Sequence, residues 1–186
     1  MKFVAGVSDT LPSGLYRRHA RFRYKVFVER LGWQLRGCDG LEFDDFDRED
    51  TLYVIAQDDA GRLTGSARLL PTTRPYLLSV VFPQLLWGAA APCSPAIWEL
   101  SRFAAMDFDA KDCGALSQFS SPTTLALLEA ALGSARERGA QQLITVSPLG
   151  VERLLRKLGI RACRAAPPLI VDGQPLVSLL IDVIQP

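Results

Sequence analysis

The run Glu42-Phe43-Asp44-Asp45-Phe46-Asp47-Arg48-Glu49-Asp50 gathers six carboxylates and two phenyl rings into nine residues. It reads either as a solvated loop or as the wall of a site that holds a cationic or hydroxyl-bearing ligand. Calcium is a poor fit. A calcium loop needs alternating ligands, a glycine at its sixth place and a glutamate at its twelfth, and this register lacks them. Arg23 and Arg68 offer the opposite chemistry, because a planar guanidinium meets a carboxylate in a two-pronged pair. A zwitterion would use both sets.

The second chemical cluster is Trp98-Glu99-Leu100-Ser101-Arg102-Phe103. On a regular strand Trp98, Leu100 and Arg102 share one face and Glu99, Ser101 and Phe103 the other, so Glu99 and Arg102 diverge unless a bulge intervenes. Spacing alone is equally consistent with a surface pair on an edge strand. His19, the only histidine, lies on a predicted helix beside no nucleophile, so a surface position is expected and histidine-dependent triads are set aside. Cys38, Cys93, Cys113 and Cys163 form no Cys-x-x-Cys and read as free thiols, with no metal site.

These groups need a scaffold. Apolar residues Tyr16, Ala20, Tyr24, Phe27 and Leu31 recur three or four apart and predict an amphipathic helix over 15–31, stopped at Gly32. Residues 53–56 and 63–70 flank a turn-rich segment and predict a hairpin. Residues 76–81 and 97–103 read as two further strands around a loop with Pro83, Gly88, Pro92 and Pro95. Ser121-Pro122 has the form of an N-cap followed by proline, opening a helix that runs to Gly139. A strand over 141–147, a helix over 151–158 stopped by Gly159, and strands at 169–171 and 176–183 joined through Asp172-Gly173 complete the order. The expected class is α/β (α+β). Residues 1–186 form a single domain, a three-layer sandwich whose mixed, mostly antiparallel sheet is flanked by helices.

Composition narrows the partners. Hydrophobic residues at 48% and charged residues at 22% suit a globular chain, and 186 residues suffice for a substantial core. With 21 basic against 20 acidic side chains, the chain lacks the positive field of a nucleic-acid binder, so no nucleic-acid partner is expected. Apolar runs at 77–82 and 176–184 fall short of the about 20 residues that span a bilayer; they read as strands, and no membrane partner is expected. The start Met1-Lys2-Phe3-Val4-Ala5-Gly6 lacks a secretory pattern, which points to the cytoplasm.

Taken in order, Arg23-x-x-x-Phe27-x-x-x-x-x-Trp33, Asp44-x-x-Asp47, Arg68, Phe82 and the block 98–103 resemble the acyl-homoserine lactone synthases, the autoinducer synthases of bacterial quorum sensing. Leu70-Pro71-Thr72-Thr73-Arg74-Pro75-Tyr76 and Pro92-Cys93-Ser94-Pro95 are also similar to that family, and the resemblance covers nearly the whole chain. It implies a fold related to the N-acetyltransferases, with a central sheet that splays to admit an acyl-phosphopantetheine arm. It further implies that Arg23, Phe27, Trp33, Asp44 and Asp47 close over S-adenosylmethionine, while Arg68, Phe82, Glu99 and Arg102 line the central cleft.

S-adenosylmethionine and the acyl-phosphopantetheine of acyl carrier protein are then substrates, and no cofactor is expected. Glu99 is the expected base, acting with Arg102. Trp33 or Phe27 could face the sulfonium or stack on adenine. On this assignment Glu99→Gln should fold normally but turn over poorly, and Arg68→Ala and Arg102→Ala should impair the enzyme at little cost in stability.

Two accessory regions are expected. Leu125, Leu128, Ile144, Thr145 and Val146 would line the acyl pocket, or serve simply as core. The segment Leu143-Ile144-Thr145-Val146 resembles the family segment whose threonine accompanies a preference for acyl chains oxygenated at carbon 3. Arg153, Arg156, Lys157, Arg161 and Arg164 form either a dock for acidic acyl carrier protein or a solvated helix face. Two rivals remain. Arg62-Leu63-Thr64-Gly65-Ser66-Ala67 fits the Arg-x-x-Gly-x-Ala pyrophosphate loop of acetyl-coenzyme A-dependent N-acetyltransferases, though that loop should lead into a helix. A non-catalytic acyl- or nucleotide-binding module would need no base at Glu99.

Overall fold

The computed structural model describes residues 1–35, 37–106 and 122–184; Ser121, the expected helix cap, lies outside them. The chain divides into two compact units, Met1–Arg68 with Arg102–Ala131, and Leu69–Ser101 with Leu132–Pro186.

The first unit begins with a strand that the sequence reading missed, β1 (Lys2–Gly6), paired antiparallel to β4 (Leu52–Gln57) with Lys2 opposite Gln57 and Gly6 opposite Tyr53. The strand order continues through β5 (Leu63–Pro71) to β6 (Ile97–Ala105). The expected 15–31 helix is present in two parts. α1 (Leu15–Arg23) starts beyond a left-handed Gly14, and from Tyr24 to Arg30 the backbone widens into a π-helix, with Leu31 N–H reaching Val26 O at 3.0 Å. π-Segments of this kind gather at functional sites. One face of the helix is inserted in the core, where Phe22, Val26 and Phe27 pack with Ala104 and Met106.

A short hairpin follows, β2 (Gly37–Cys38) and β3 (Leu41–Glu42). Its two turn residues, Asp39 at φ 55° and Gly40 at φ 71°, have the paired positive φ that tight hairpins require. Gly37 allows the hairpin to lie against the helix, since a Cβ there would meet the Tyr24 ring at 2.7 Å.

The second unit holds the start of β6, then β7 (Gln142–Pro148), β10 (Gln174–Asp182) and β8 (Ala162–Arg164), in that order, with β9 (Leu169–Val171) also on β10. β6 and β7 run parallel while β10 is antiparallel to β7, β8 and β9. The class is therefore the expected one, mixed α/β with a mostly antiparallel sheet. α3 (Pro122–Glu137) and α4 (Gly150–Lys157) match the expected helices.

Residues 76–81 correct the sequence reading. They form not a strand but α2 (Leu77–Val80), followed by a 3-10 turn over Pro83–Leu86. The apolar run suggested a strand. A helix wins because its first N–H groups find acceptors: Glu99 takes Leu77 N–H at 2.9 Å and Leu78 N–H at 2.7 Å, and Ser79 and Tyr76 bond reciprocally.

His19 is the second correction. It is fully buried rather than on the surface, with Nε2 2.7 Å from Ser66 Oγ and its ring edge-on to Tyr53. Burial pulls its pKa down to about 3, aided by the charges of Arg23 and Arg68 and opposed by Asp47. The unfolded chain therefore binds a proton at His19 that the folded chain refuses between pH 6.5 and about 3. His19 should then cost stability as pH falls through that window, by up to about 1.4 kcal/mol per pH unit. Urea unfolding of wild type and His19→Gln from pH 7 to 4 checks this. Wild type should lose ground relative to the variant as the solution is acidified, and parallel curves would refute the assignment.

Candidate functional site

The centre of the first unit is a set of buried ion pairs. Arg23 Nε donates to Glu42 Oε2 at 2.5 Å, and its terminal nitrogens take both Asp47 oxygens at 2.6 and 2.9 Å. Arg102 reaches the other Glu42 oxygen at 3.2 and 3.0 Å and Asp44 Oδ2 at 2.8 Å. Arg68 donates to Asp44 Oδ1 at 2.5 Å and stands 3.3 Å from Asp47 Oδ1. The pairs close on themselves. Arg23, Glu42, Arg102, Asp44, Arg68 and Asp47 form a ring in which cation and anion alternate and the net charge is zero.

Local structure places each member. The Asp39-Gly40 hairpin delivers Glu42, and a turn closed by Asp47 N–H to Asp44 O at 3.0 Å presents Asp44 and Asp47 together. Arg102 adopts φ 49°, a left-handed conformation within β6. That left-handed residue breaks the regular pleat, so strict alternation does not hold through Arg102, which is turned to the ring. Beneath the ring, Tyr53 OH donates to Asp47 Oδ1 at 2.9 Å; burial first, then the Asp47 charge, pushes the phenol pKa up. Burial also pushes the Asp47 carboxyl up, but Arg23 and Arg68 outweigh it and hold it well below the usual carboxylate range.

An aromatic shelf adjoins the ring. Phe27 and Trp33 stack at 4.9 Å and 28°, and the Arg102 guanidinium lies 5.7 Å from the Phe27 centroid and 5.9 Å from that of Trp33. Phe27 is buried, whereas Trp33 is 44% exposed and keeps surface for a ligand. Asp44 is the most solvent-facing ring member, with 20% of its side chain exposed; the other five are almost wholly enclosed.

The sequence-predicted residues therefore divide. Arg23, Phe27, Trp33, Asp44, Asp47, Arg68 and Arg102 come together in the first unit. Glu99 lies in the second, buried, with an N–H bonded to each carboxylate oxygen; half-buried Phe82 lies there too, just past α2. On α3 Leu125 is half-buried and Leu128 buried, and on β7 Ile144 and Thr145 are buried and Val146 half-buried. Thr145 Oγ makes only long contacts, 3.4 Å to Ser147 Oγ and 3.5 Å to Val146 O.

The five basic residues on and after α4 are all exposed, and Arg156 and Arg164 share Glu152. Glu42 and Tyr53 are the residues that sequence reasoning passed over. Glu42 opens the acidic run, but nothing in its spacing separates it from its neighbours. The Arg62–Ala67 segment mostly enters β5 and leads into no helix, unlike a pyrophosphate loop. Among the described residues no helix is long and apolar enough to cross a membrane, and no His, Cys, Asp or Glu cluster could hold a metal ion.

Enclosure within the ring also reverses one expectation. Arg68→Ala and Arg102→Ala should not spare stability, because each strips one of two cations from two ring carboxylates and leaves the enclosed ring with a net negative charge.

Comparison with known proteins places these features. A family model described as autoinducer synthase matches residues 14–183. The acyl-homoserine-lactone synthase of Acinetobacter nosocomialis is 54% identical over 183 residues, covering 98% of this chain and all of the relative. TofI, solved in a ternary complex with an inhibitor and MTA, is 42% identical with a TM-score of 0.83, over 98% of this chain and 92% of its own. BjaI, a CoA-dependent acyl-homoserine lactone synthase solved with SAM and isopentyl-CoA, is 30% identical with a TM-score of 0.83, over 98% and 82% of the two chains. An acyl-CoA N-acyltransferase from Pseudomonas aeruginosa, 17% identical at a TM-score of 0.60 over 96% and 97%, shares the fold alone.

The ring should respond unequally to neutralisation. Glu42→Gln, at a fully buried member bonded to two arginines, should lose about 3 kcal/mol of unfolding free energy. Asp44→Asn, at the solvent-facing member, should lose about 1 kcal/mol. Urea denaturation of both variants measures the difference, and equal losses would show that enclosure does not set the cost.

Proposed function

The chain belongs to the autoinducer synthase family, and from that premise we propose that it joins an acyl group to S-adenosylmethionine and closes the product to an acyl-homoserine lactone. The observation that carries the reading is the ion ring beside an exposed tryptophan. Such a site suits a ligand with a carboxylate, an amine and a sulfonium on one chain. The ligand's carboxylate takes the guanidinium surface of Arg68 and Arg102 that Asp44 covers, and the released Asp44 carboxylate pairs with its positive charge. Trp33 supplies a ring for the sulfonium or adenine, a contact of about 1 kcal/mol.

The first chemical step is amide formation. An α-amine has a reference pKa near 8, so most of it is protonated near neutral pH and cannot attack a thioester. Glu99 takes that proton, directly or through water. Its two oxygens accept Leu77 N–H and Leu78 N–H, which fixes the orientation of the carboxylate. The amine nitrogen then bonds to the acyl carbon, the carbon–sulfur bond of the thioester breaks, and the phosphopantetheine thiol leaves. In the second step a methionine carboxylate oxygen attacks the γ-carbon, the bond to the sulfonium breaks, and methylthioadenosine departs. Holding the chain folded is the main requirement there, and arginine positioning meets it.

We assign acyl carrier protein as donor, on the basic residues of α4 and β8. A coenzyme A thioester is the second reading, favoured by the likeness to BjaI. Thr145 Oγ, weakly engaged by its neighbours, is assigned to an oxygen at carbon 3 of a medium-length acyl chain.

Mass spectrometry of reactions containing S-adenosylmethionine and matched acyl carrier protein or coenzyme A thioesters tests the whole reading. Lactone and methylthioadenosine should appear together, with the carrier-protein donor and the 3-oxo or 3-hydroxy chain preferred. Glu99→Gln should reduce turnover at least about a hundred-fold. It should also cost about 1 kcal/mol of stability, because the amide keeps only one acceptor for the α2 N–H groups. Wild-type rates in that variant would remove Glu99 from the base role.

A further inference from the structure

Trp87 is in the wrong place for a residue that serves only stability. It is 60% exposed, and its backbone sits at φ 51°, a left-handed conformation that a bulky side chain adopts at a cost. The side chain is nonetheless fixed, because its indole N–H donates to Pro167 O at 2.9 Å across 80 residues. Pro167 leads into β9, where Ile170 is 73% exposed and pairs with Pro175 on β10. The Pro175 carbonyl also accepts the N–H of Leu149, which caps α4 and is itself an exposed leucine. Three large apolar side chains thus stand exposed around one edge of the second unit.

Charge identifies the occupant. Residues 149–171 carry five arginines and lysines against one carboxylate, Glu152, while the whole chain is nearly neutral at +1. All five cations are exposed, and Arg164, which pairs with Glu152 at 2.6 Å, stands three residues before Pro167. An apolar knot beside a positive field suits a partner with apolar side chains inside an acidic surface. Coenzyme A carries phosphates to meet the cations but no large apolar surface to cover three exposed apolar side chains.

We infer that Trp87, with Ile170 and Leu149, is the apolar anchor of a docking surface for an acidic carrier protein, and that the basic residues of α4 and β8 form its rim. The inference rests on the reading that the acyl donor is such a protein. The rim speeds encounter and falls in strength with salt. The anchor sets residence, as buried tryptophans at interfaces do.

The test uses two exposed variants. Trp87→Asn removes the ring but keeps a residue that tolerates the left-handed backbone, and Ile170→Thr removes apolar surface from the strand edge without adding charge. Steady-state kinetics of the full chain are compared with acyl carrier protein and with the corresponding acyl-pantetheine, which lacks the protein. Each variant should raise KM for the carrier protein about ten-fold or more, keep the wild-type midpoint of urea unfolding, and leave the acyl-pantetheine rate unchanged. Unchanged KM for carrier protein in either folded variant overturns the anchor. So does an equal loss with acyl-pantetheine, which would place these residues in acyl handling instead. If wild type itself uses acyl-coenzyme A and not carrier protein, the donor reading fails and the anchor fails with it. That outcome is visible before any variant is made.

Discussion

Three guanidinium groups and three carboxylates are enclosed together in the first unit, and the folding of that unit turns on their neutrality. A single ion of this kind withdrawn from water costs several kcal/mol, and pairing repays this only when geometry and hydrogen bonds are complete. The local structure supplies the pairing geometry. The Asp39-Gly40 turn, the Asp44–Asp47 turn and the left-handed Arg102 each bring a charge to within bonding distance of two opposite charges. None of these backbone features is required by the hydrophobic core. Each is required by the ring.

A closed ring also explains how a site can be rigid and yet receive a ligand. Five members are sealed; the sixth, Asp44, reaches solvent and bonds to two different arginines. On the proposed reading, exchange of its carboxylate for that of a substrate would keep every guanidinium paired and leave the core undisturbed. The same economy appears at Glu99, whose oxygens hold the start of α2. A carboxylate there serves the backbone first, and any chemistry must use what capacity remains.

Much of this was legible in the sequence, and what was not has a common cause. Helical spacing and glycine stops located α1, α3 and α4, and the ordered set Arg23, Phe27, Trp33, Asp44, Asp47, Arg68 and Arg102 converges in space. Glu42 escaped because its partners stand 19 and 60 residues away. His19 looked like a surface residue because Ser66, which satisfies it, is 47 residues on. The 76–81 run read as a strand because its capping carboxylate lies 21 residues beyond Leu78. Periodicity reports a segment's own preferences, and in each of these cases a distant polar partner overrode them.

On the proposed reading, Arg68 and Arg102 surrender Asp44 to a substrate carboxylate. Calorimetric titration of wild-type protein with S-adenosylmethionine and with its decarboxylated analogue addresses that claim alone, since the two ligands share the adenosyl group, sulfonium and amine. Charge-assisted hydrogen bonds contribute about 1.5–3 kcal/mol, so the analogue should bind at least about ten-fold more weakly. Equal affinity for the two ligands would mean that Asp44 keeps its arginines when the site is filled, and would contradict the account.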